Sequence, residues 1–271
     1  MKLFVYYLLT IPAFALAQSE YEISGIEMFN QDLQKTAEGI IYVSSQPFHW
    51  SENDFIILGG TLAGGTLLFM ADNDINNFFK RNHSKIATRW ARIGSNYGEP
   101  LTVVSLTAAL YIFGIVTGDD WTRETAVILT SALIPAGAIQ TISKLSAGRA
   151  RPYMELGKDD FKFWRKGEDY YSFVSGHTLV AMSTSLVLAK RIKNNYASTI
   201  LFGVAGLCAW SRMYLNNHFS SDVFLGSALS FATVFAAFSA HSQNATQAKN
   251  KESVKYVFNT GFNRIGFQIY F

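Results

Sequence analysis

Cysteine is almost missing from this chain. Cys208 is the only one in 271 residues, so no internal disulfide can form and no cysteine cluster can hold zinc. It stands among Leu207, Ala209 and Trp210, surroundings that suit an inert core thiol. Charge is sparse as well, at 16% of residues with a net charge of +3. No block rich in Lys or Arg occurs, which excludes a nucleic-acid partner as the working expectation. Internal repeats and low-complexity stretches are absent, and with them repeat arrays and tails.

What the chain has instead is apolar mass. Hydrophobic residues make up 49%, although mean hydropathy is only +0.13. The length is enough for one domain with a real core. The first residues read as a secretory signal: Lys2, an apolar stretch over residues 3–14, and the small-x-small site Ala15-Leu16-Ala17 before Gln18. No cysteine follows that site, so a lipoprotein anchor is not indicated. The expected organisation is a signal peptide at 1–17, a polar or amphipathic segment at 18–50, a helical bundle at 51–243 and a tail at 244–271.

The bundle expectation rests on apolar runs at residues 55–71, 101–118, 125–143, 178–189, 198–210 and 223–240. They lack period-two alternation and are longer than most strands, which predicts about six core helices. Ser51 with Asp54 resembles a capping box before the first run. The two long connectors, residues 72–100 and 148–172, are where function is expected. In the tail, Val254, Tyr256 and Phe258 alternate with polar residues. A turn signal follows at Asn259-Thr260-Gly261, and Ile265, Phe267, Ile269 and Phe271 alternate again, which predicts a small β-hairpin. The fold expectation is therefore all-α, a helical bundle with a C-terminal hairpin. The runs lie at or just below the ~20 residues needed to cross a bilayer, which leaves integral and peripheral membrane attachment both open.

Three stretches carry chemistry. In residues 144–152, Lys144 closes an apolar run and Arg151 precedes Pro152, and two helical turns separate the cations, so both can face one side. Residues 172–178 put Ser175, Gly176 and His177 at the start of a helix, where free N–H groups suit an anion. Residues 211–222 contain Arg212, His218 and Asp222, the last two spaced to share a helical face. A carboxylate accepting from one ring nitrogen would leave the other free as a nucleophile. Each stretch alone is matched by a bland alternative: a solvated helix end, an N-cap serine, a salt-bridged turn.

Together they resemble the superfamily of type 2 phosphatidic acid phosphatases and vanadium haloperoxidases. Its signature is a Lys followed after six residues by Arg-Pro, then Pro-Ser-Gly-His, then Ser-Arg with His and Asp beyond. This sequence departs only at Val174, which stands where the family has proline. The resemblance implies that His218 is the nucleophile taking a phosphoryl group and that Asp222 is its orienting partner. It makes His177 the general acid, and Lys144, Arg151, Ser175, Gly176 and Arg212 the phosphate cradle. It also implies a metal-independent phosphatase without a cofactor, for which vanadate is only an inhibitor or transition-state mimic. The expected substrate is a lipid phosphate (phosphatidic acid, phosphatidylglycerol phosphate or undecaprenyl diphosphate) or a small phosphate ester, handled in the cell envelope without a protein partner. A vanadium haloperoxidase, a soluble periplasmic acid phosphatase and a non-enzymatic envelope protein are the alternatives. His49, His83 and His241 lack ligand or triad spacing, and the pairs Asp119-Asp120 and Asp159-Asp160 are read as solvated or capping residues.

Overall fold

A computed structural model of the chain describes residues 25–253, 255–261 and 264–270, with side chains described for residues 25–243. Eight α-helices follow one another: α1 (Gly25–Ser45), α2 (Glu52–Arg81), α3 (Lys85–Tyr97), α4 (Pro100–Thr117), α5 (Asp120–Ala147), α6 (Gly176–Ile192), α7 (Asn195–Tyr214) and α8 (Ser220–Ser253). The expected signal segment at 1–17 lies outside the described residues.

Local chemistry sets the helix ends. Ser51 and Asp54 form the predicted capping box, with the Ser51 amide donating to the Asp54 carboxylate at 2.8 Å. Pro100 opens α4, where a missing N–H costs nothing. The Asp119 carboxylate accepts from the Thr122 amide at 3.1 Å and caps α5. Gly148 ends α5 at φ 54° and donates its N–H to the Lys144 carbonyl at 2.9 Å. A Cβ at Gly148 would run into the carbonyl of Lys162, so glycine is required there twice over.

α5 is the hub, packing against α1, α4, α6 and α8. The core cluster joins Val43, Val103, Ile128, Leu129, Ala132, Leu186, Val187, Val234 and Ala237 from these five helices. Each fully buried aliphatic side chain of the Val or Leu kind contributes roughly 1.5–3 kcal/mol. The opposite situation holds on α2 and α4, whose most apolar stretches are only 6% and 11% buried. They turn Ile56, Ile57, Leu67, Leu101, Val104 and Val116 outward, a surface that water does not tolerate over such an area. Four helices, α2, α4, α5 and residues Ser220–Gln243 of α8, are long and apolar enough to cross a membrane. The protein is membrane-associated.

Two expectations need correction. The helices among the described residues number eight rather than six. α1 comes from the segment read as merely amphipathic, and it buries Asp32, Gly39 and Val43 against the bundle. α3 comes from the connector at 72–100: its apolar and polar residues recur at helical spacing, but no continuous apolar run announces it. The C-terminal hairpin is not supported as part of the fold. Backbone pairing links Lys255–Gly261 and Arg264–Tyr270, but that sheet has two strands only. A lone pair of strands has too little face to bury to be stable by itself.

Candidate active site

The connector between α5 and α6 folds back over the end of α5. The Lys162 backbone N–H donates to the Gly148 carbonyl at 2.8 Å, and the Arg151 backbone N–H to the Asp169 carbonyl at 2.8 Å. This return brings Lys144, in the last turn of α5, to Gly176 at the start of α6: a Cβ on Gly176 would stand 3.7 Å from the Lys144 ammonium. The Phe173–Val174 peptide just before is cis. α8 closes the other side. Ser175 donates its N–H to the Asp222 carbonyl at 3.0 Å, and Gly226 lets α8 approach the Ser175 carbonyl, which a Cβ there would meet at 2.6 Å.

His218 lies between α7 and α8 and is 2% exposed. Its Nδ1 is 2.7 Å from the Ser172 carbonyl oxygen. A carbonyl only accepts, so Nδ1 carries the proton and Nε2 holds the free lone pair. Burial, and after it the charges of Arg212, Arg151 and Lys144, hold the imidazole well below its ordinary value, so it is neutral and nucleophilic at pH 7.

The expectation for Asp222 changes in detail. Its oxygens are already taken: Arg149 donates to Oδ1 at 2.7 Å, while the Ser172 hydroxyl at 2.7 Å and the Phe219 amide at 3.0 Å donate to Oδ2. Asp222 therefore steadies the His218 ring through Ser172, whose carbonyl makes the direct contact.

His177 places Nε2 3.0 Å from Glu99 of the α3–α4 junction. Burial first, then Arg212, pushes its value down to about 4, against the pull of Glu99. His177 is thus neutral at pH 7 in the free protein. A phosphate dianion arriving beside Lys144 and Arg212 reverses the local sign and favours the imidazolium that a general acid needs.

The cations form the most telling part. Lys144, Arg151 and Arg212 share the electrostatic surroundings of His218, and none has a carboxylate within ion-pair distance among the described residues. Arg212 gives one N–H to the Ser95 hydroxyl at 2.6 Å. Its Nε and the Nε of Arg151 are buried donors without a hydrogen-bond partner. Buried donors of this kind cost free energy unless something accepts from them, and an anion with several oxygens is the fitting acceptor. Ser175 is fully buried, with its hydroxyl 3.0 Å from that of Thr178. The eight residues singled out from sequence are therefore brought together around His218 and the end of α5.

Other functional neighbours were not apparent from sequence. Arg149 is fully buried and bridges two carboxylates, Asp222 at 2.7 Å and Asp72 of α2 at 2.8 Å. Phe219, Phe69 and Phe161 surround its guanidinium at 4.2, 4.9 and 5.4 Å. Asp72 also accepts from the Ser220 hydroxyl at 2.6 Å and the Ser221 amide at 3.0 Å, so it caps α8. The one sequence signal was an arginine two residues before Arg151 in apolar company. The remaining histidines do local work: His83 stacks on Tyr214 at 4.3 Å, His49 bonds the Ser45 carbonyl at 3.0 Å, and His241 lies 3.8 Å from Glu124.

Known proteins resemble this fold. The crystal structure of Aquifex aeolicus LpxE superposes with a TM-score of 0.52 at 20% identity, covering 62% of this chain and 94% of that one. The first transmembrane PAP2-type phosphatidylglycerolphosphate phosphatase from Bacillus subtilis gives 0.50 at 16% identity, covering 81% and 96%. A lipid A 4'-phosphatase of Porphyromonas gingivalis is 32% identical over 59 residues, which is 22% of this chain and 25% of that relative. Residues 125–246 match the family profile of the PAP2 superfamily. All three stretches that carry the candidate site fall inside that match, which covers somewhat less than half of the chain.

Proposed function

We propose that this protein is a phosphatase that hydrolyses phosphomonoesters or diphosphates of membrane lipids through a phosphohistidine on His218. The observation that carries this reading is the set of three cations without carboxylate partners, two of them with buried unpaired N–H donors, around a neutral histidine with its lone pair free. A phosphoryl transition state spreads negative charge over three oxygens, and fixed donors stabilise it with little reorganisation. His218 Nε2 attacks phosphorus and the bond to the leaving oxygen breaks, while His177 gives that oxygen a proton. His177 then takes a proton from water as the water attacks the phosphohistidine, releasing inorganic phosphate and restoring both histidines. Side-chain cations supply the charge stabilisation, and the reaction is expected to need no added metal.

Membrane association and the apolar flanks of the bundle favour a lipid substrate over a soluble one. Phosphatidic acid, phosphatidylglycerol phosphate and undecaprenyl diphosphate are the candidates. The test is phosphate release from a panel of lipid and soluble phosphates in detergent with chelator present, together with acid-quenched trapping of the phosphoenzyme. His218→Ala is expected to abolish both turnover and the trapped intermediate. A variant turning over near the wild-type rate would overturn the assignment, and so would halogenation with vanadate and peroxide in place of phosphate release.

A further inference from the structure

α3 differs from the helices on either side of it. It has 13 residues, about 20 Å of length, too short to cross a bilayer. It joins α2 to α4, both long and apolar enough to cross. Two consecutive crossings run in opposite directions, so the helix between them is kept at one face of the membrane. One side of α3, with Ala91 and Gly94 buried, lies against α7, where a Cβ on Gly94 would strike the Leu207 carbonyl. The rest of its surface divides into two stripes.

Lys85, Arg89, Arg92 and Asn96 follow one another at a spacing of four, three and four residues, which lines them up on one helical face. Ile86, Trp90 and Ile93 repeat beside them and are 75%, 54% and 48% exposed. The helix contains no Asp or Glu, and none of its three cations has an ion-pair partner among the described residues. Lys85 stands in the first turn, where the helix dipole disfavours a cation unless an anion lies near. An open hollow of about 730 Å³ runs along the basic stripe, with His83 and Thr88 in its wall.

Water suits the basic stripe and not the apolar one, and hydrocarbon the reverse. Only the boundary between them serves both stripes at once, and helices that lie there carry this pairing of a basic side with an apolar side. Trp90 fits the same level, because an indole ring favours the headgroup region. The unopposed positive charge selects the sign of the surface. We propose that α3 is a docking surface for anionic lipid, lying along the bilayer boundary with Ile86, Trp90 and Ile93 among the acyl chains and Lys85, Arg89 and Arg92 on the headgroups. The lipids concerned are those of the surrounding bilayer, so the inference stands apart from the phosphatase reading.

The full chain is reconstituted in bilayer discs of phosphatidylcholine, with or without phosphatidylserine, whose phosphodiester the proposed hydrolysis leaves intact. Cys208 is the only cysteine and is buried, so Ile86→Cys takes a single nitroxide label. That label is expected to collide with oxygen more often than with a water-soluble nickel chelate. The reverse order would place α3 in water and overturn the proposal. In unlabelled protein, phosphatidylserine is expected to raise the thermal unfolding midpoint. Arg89→Gln combined with Arg92→Gln removes two of the three cations and is expected to lose about two thirds of that rise. Arg89→Lys with Arg92→Lys is expected to keep most of it, because a surface reads charge rather than the shape of the guanidinium fork. No rise in the wild type, or an equal rise in the Gln pair, would overturn the proposal. So would a Lys pair that loses as much as the Gln pair, since a fitted phosphate site would then explain the stripe. Far-ultraviolet circular dichroism of each variant confirms that the helices remain folded.

Discussion

Without Arg149, two carboxylates, Asp72 and Asp222, would be buried near each other with no cation between them. Breaking a buried charge network in this way costs about 3–5 kcal/mol. Arg149→Met is accordingly expected to lower the thermal unfolding midpoint in detergent and to remove activity, because Asp222 would lose the geometry that holds Ser172 under His218. Arg149→Lys keeps the charge, but a compact ammonium cannot reach both acids, so an intermediate midpoint is expected. Glu99 gives a second residue-level prediction. The acid form of His177 acts only below its value in the substrate complex, so kcat falls as pH rises through that value. Glu99 raises it. Glu99→Gln is therefore expected to move the alkaline limb of the kcat profile to lower pH, most visibly for poor leaving groups. An unmoved limb would remove Glu99 from the mechanism. The candidate site residues were legible in sequence because each stretch is local: Asp222 stands four residues after His218. Asp72 and Arg149 are 77 residues apart, and no spacing rule pairs them.

At the scale of elements, glycine decides how closely the site is wrapped. Gly148→Ala adds a Cβ where φ is positive and the Lys162 carbonyl already stands. Overpacking and backbone strain together are expected to cost about 1–3 kcal/mol. The readout is a lower unfolding midpoint with weaker vanadate inhibition, since the return loop carries Arg151 away from Lys144. Helices built on unbroken apolar runs were readable, down to the Ser51 cap. α1 and α3 were not, because their identity as helices depends on what they pack against. Asp32 of α1 is a case in point: it looks solvent-facing in sequence, but it is 2% exposed and pairs with Arg123 at 2.8 Å. The alternating tail falls into two paired segments, but a lone pair has no further sheet to join and is not supported as part of the fold.

The whole molecule responds to pH through its two active-site imidazoles. In the folded state both bind protons less readily than the unfolded chain, whose value is 6.5. Their contribution to stability is complete above about pH 6.5 and is lost as pH falls through the folded values. The unfolding midpoint is therefore expected to drop between pH 7 and pH 5, and saturating inorganic phosphate should reduce the drop by favouring the protonated site. An equal drop in His177→Gln combined with His218→Asn would assign it elsewhere. Glu99 touches His177, and the very next residue, Pro100, begins α4, which is apolar and long enough to cross a bilayer. A span answers bilayer thickness by tilting. On the proposed mechanism, a tilt of α4 reaches His177 through Glu99, and turnover in vesicles of graded acyl length is expected to pass through a maximum at one thickness.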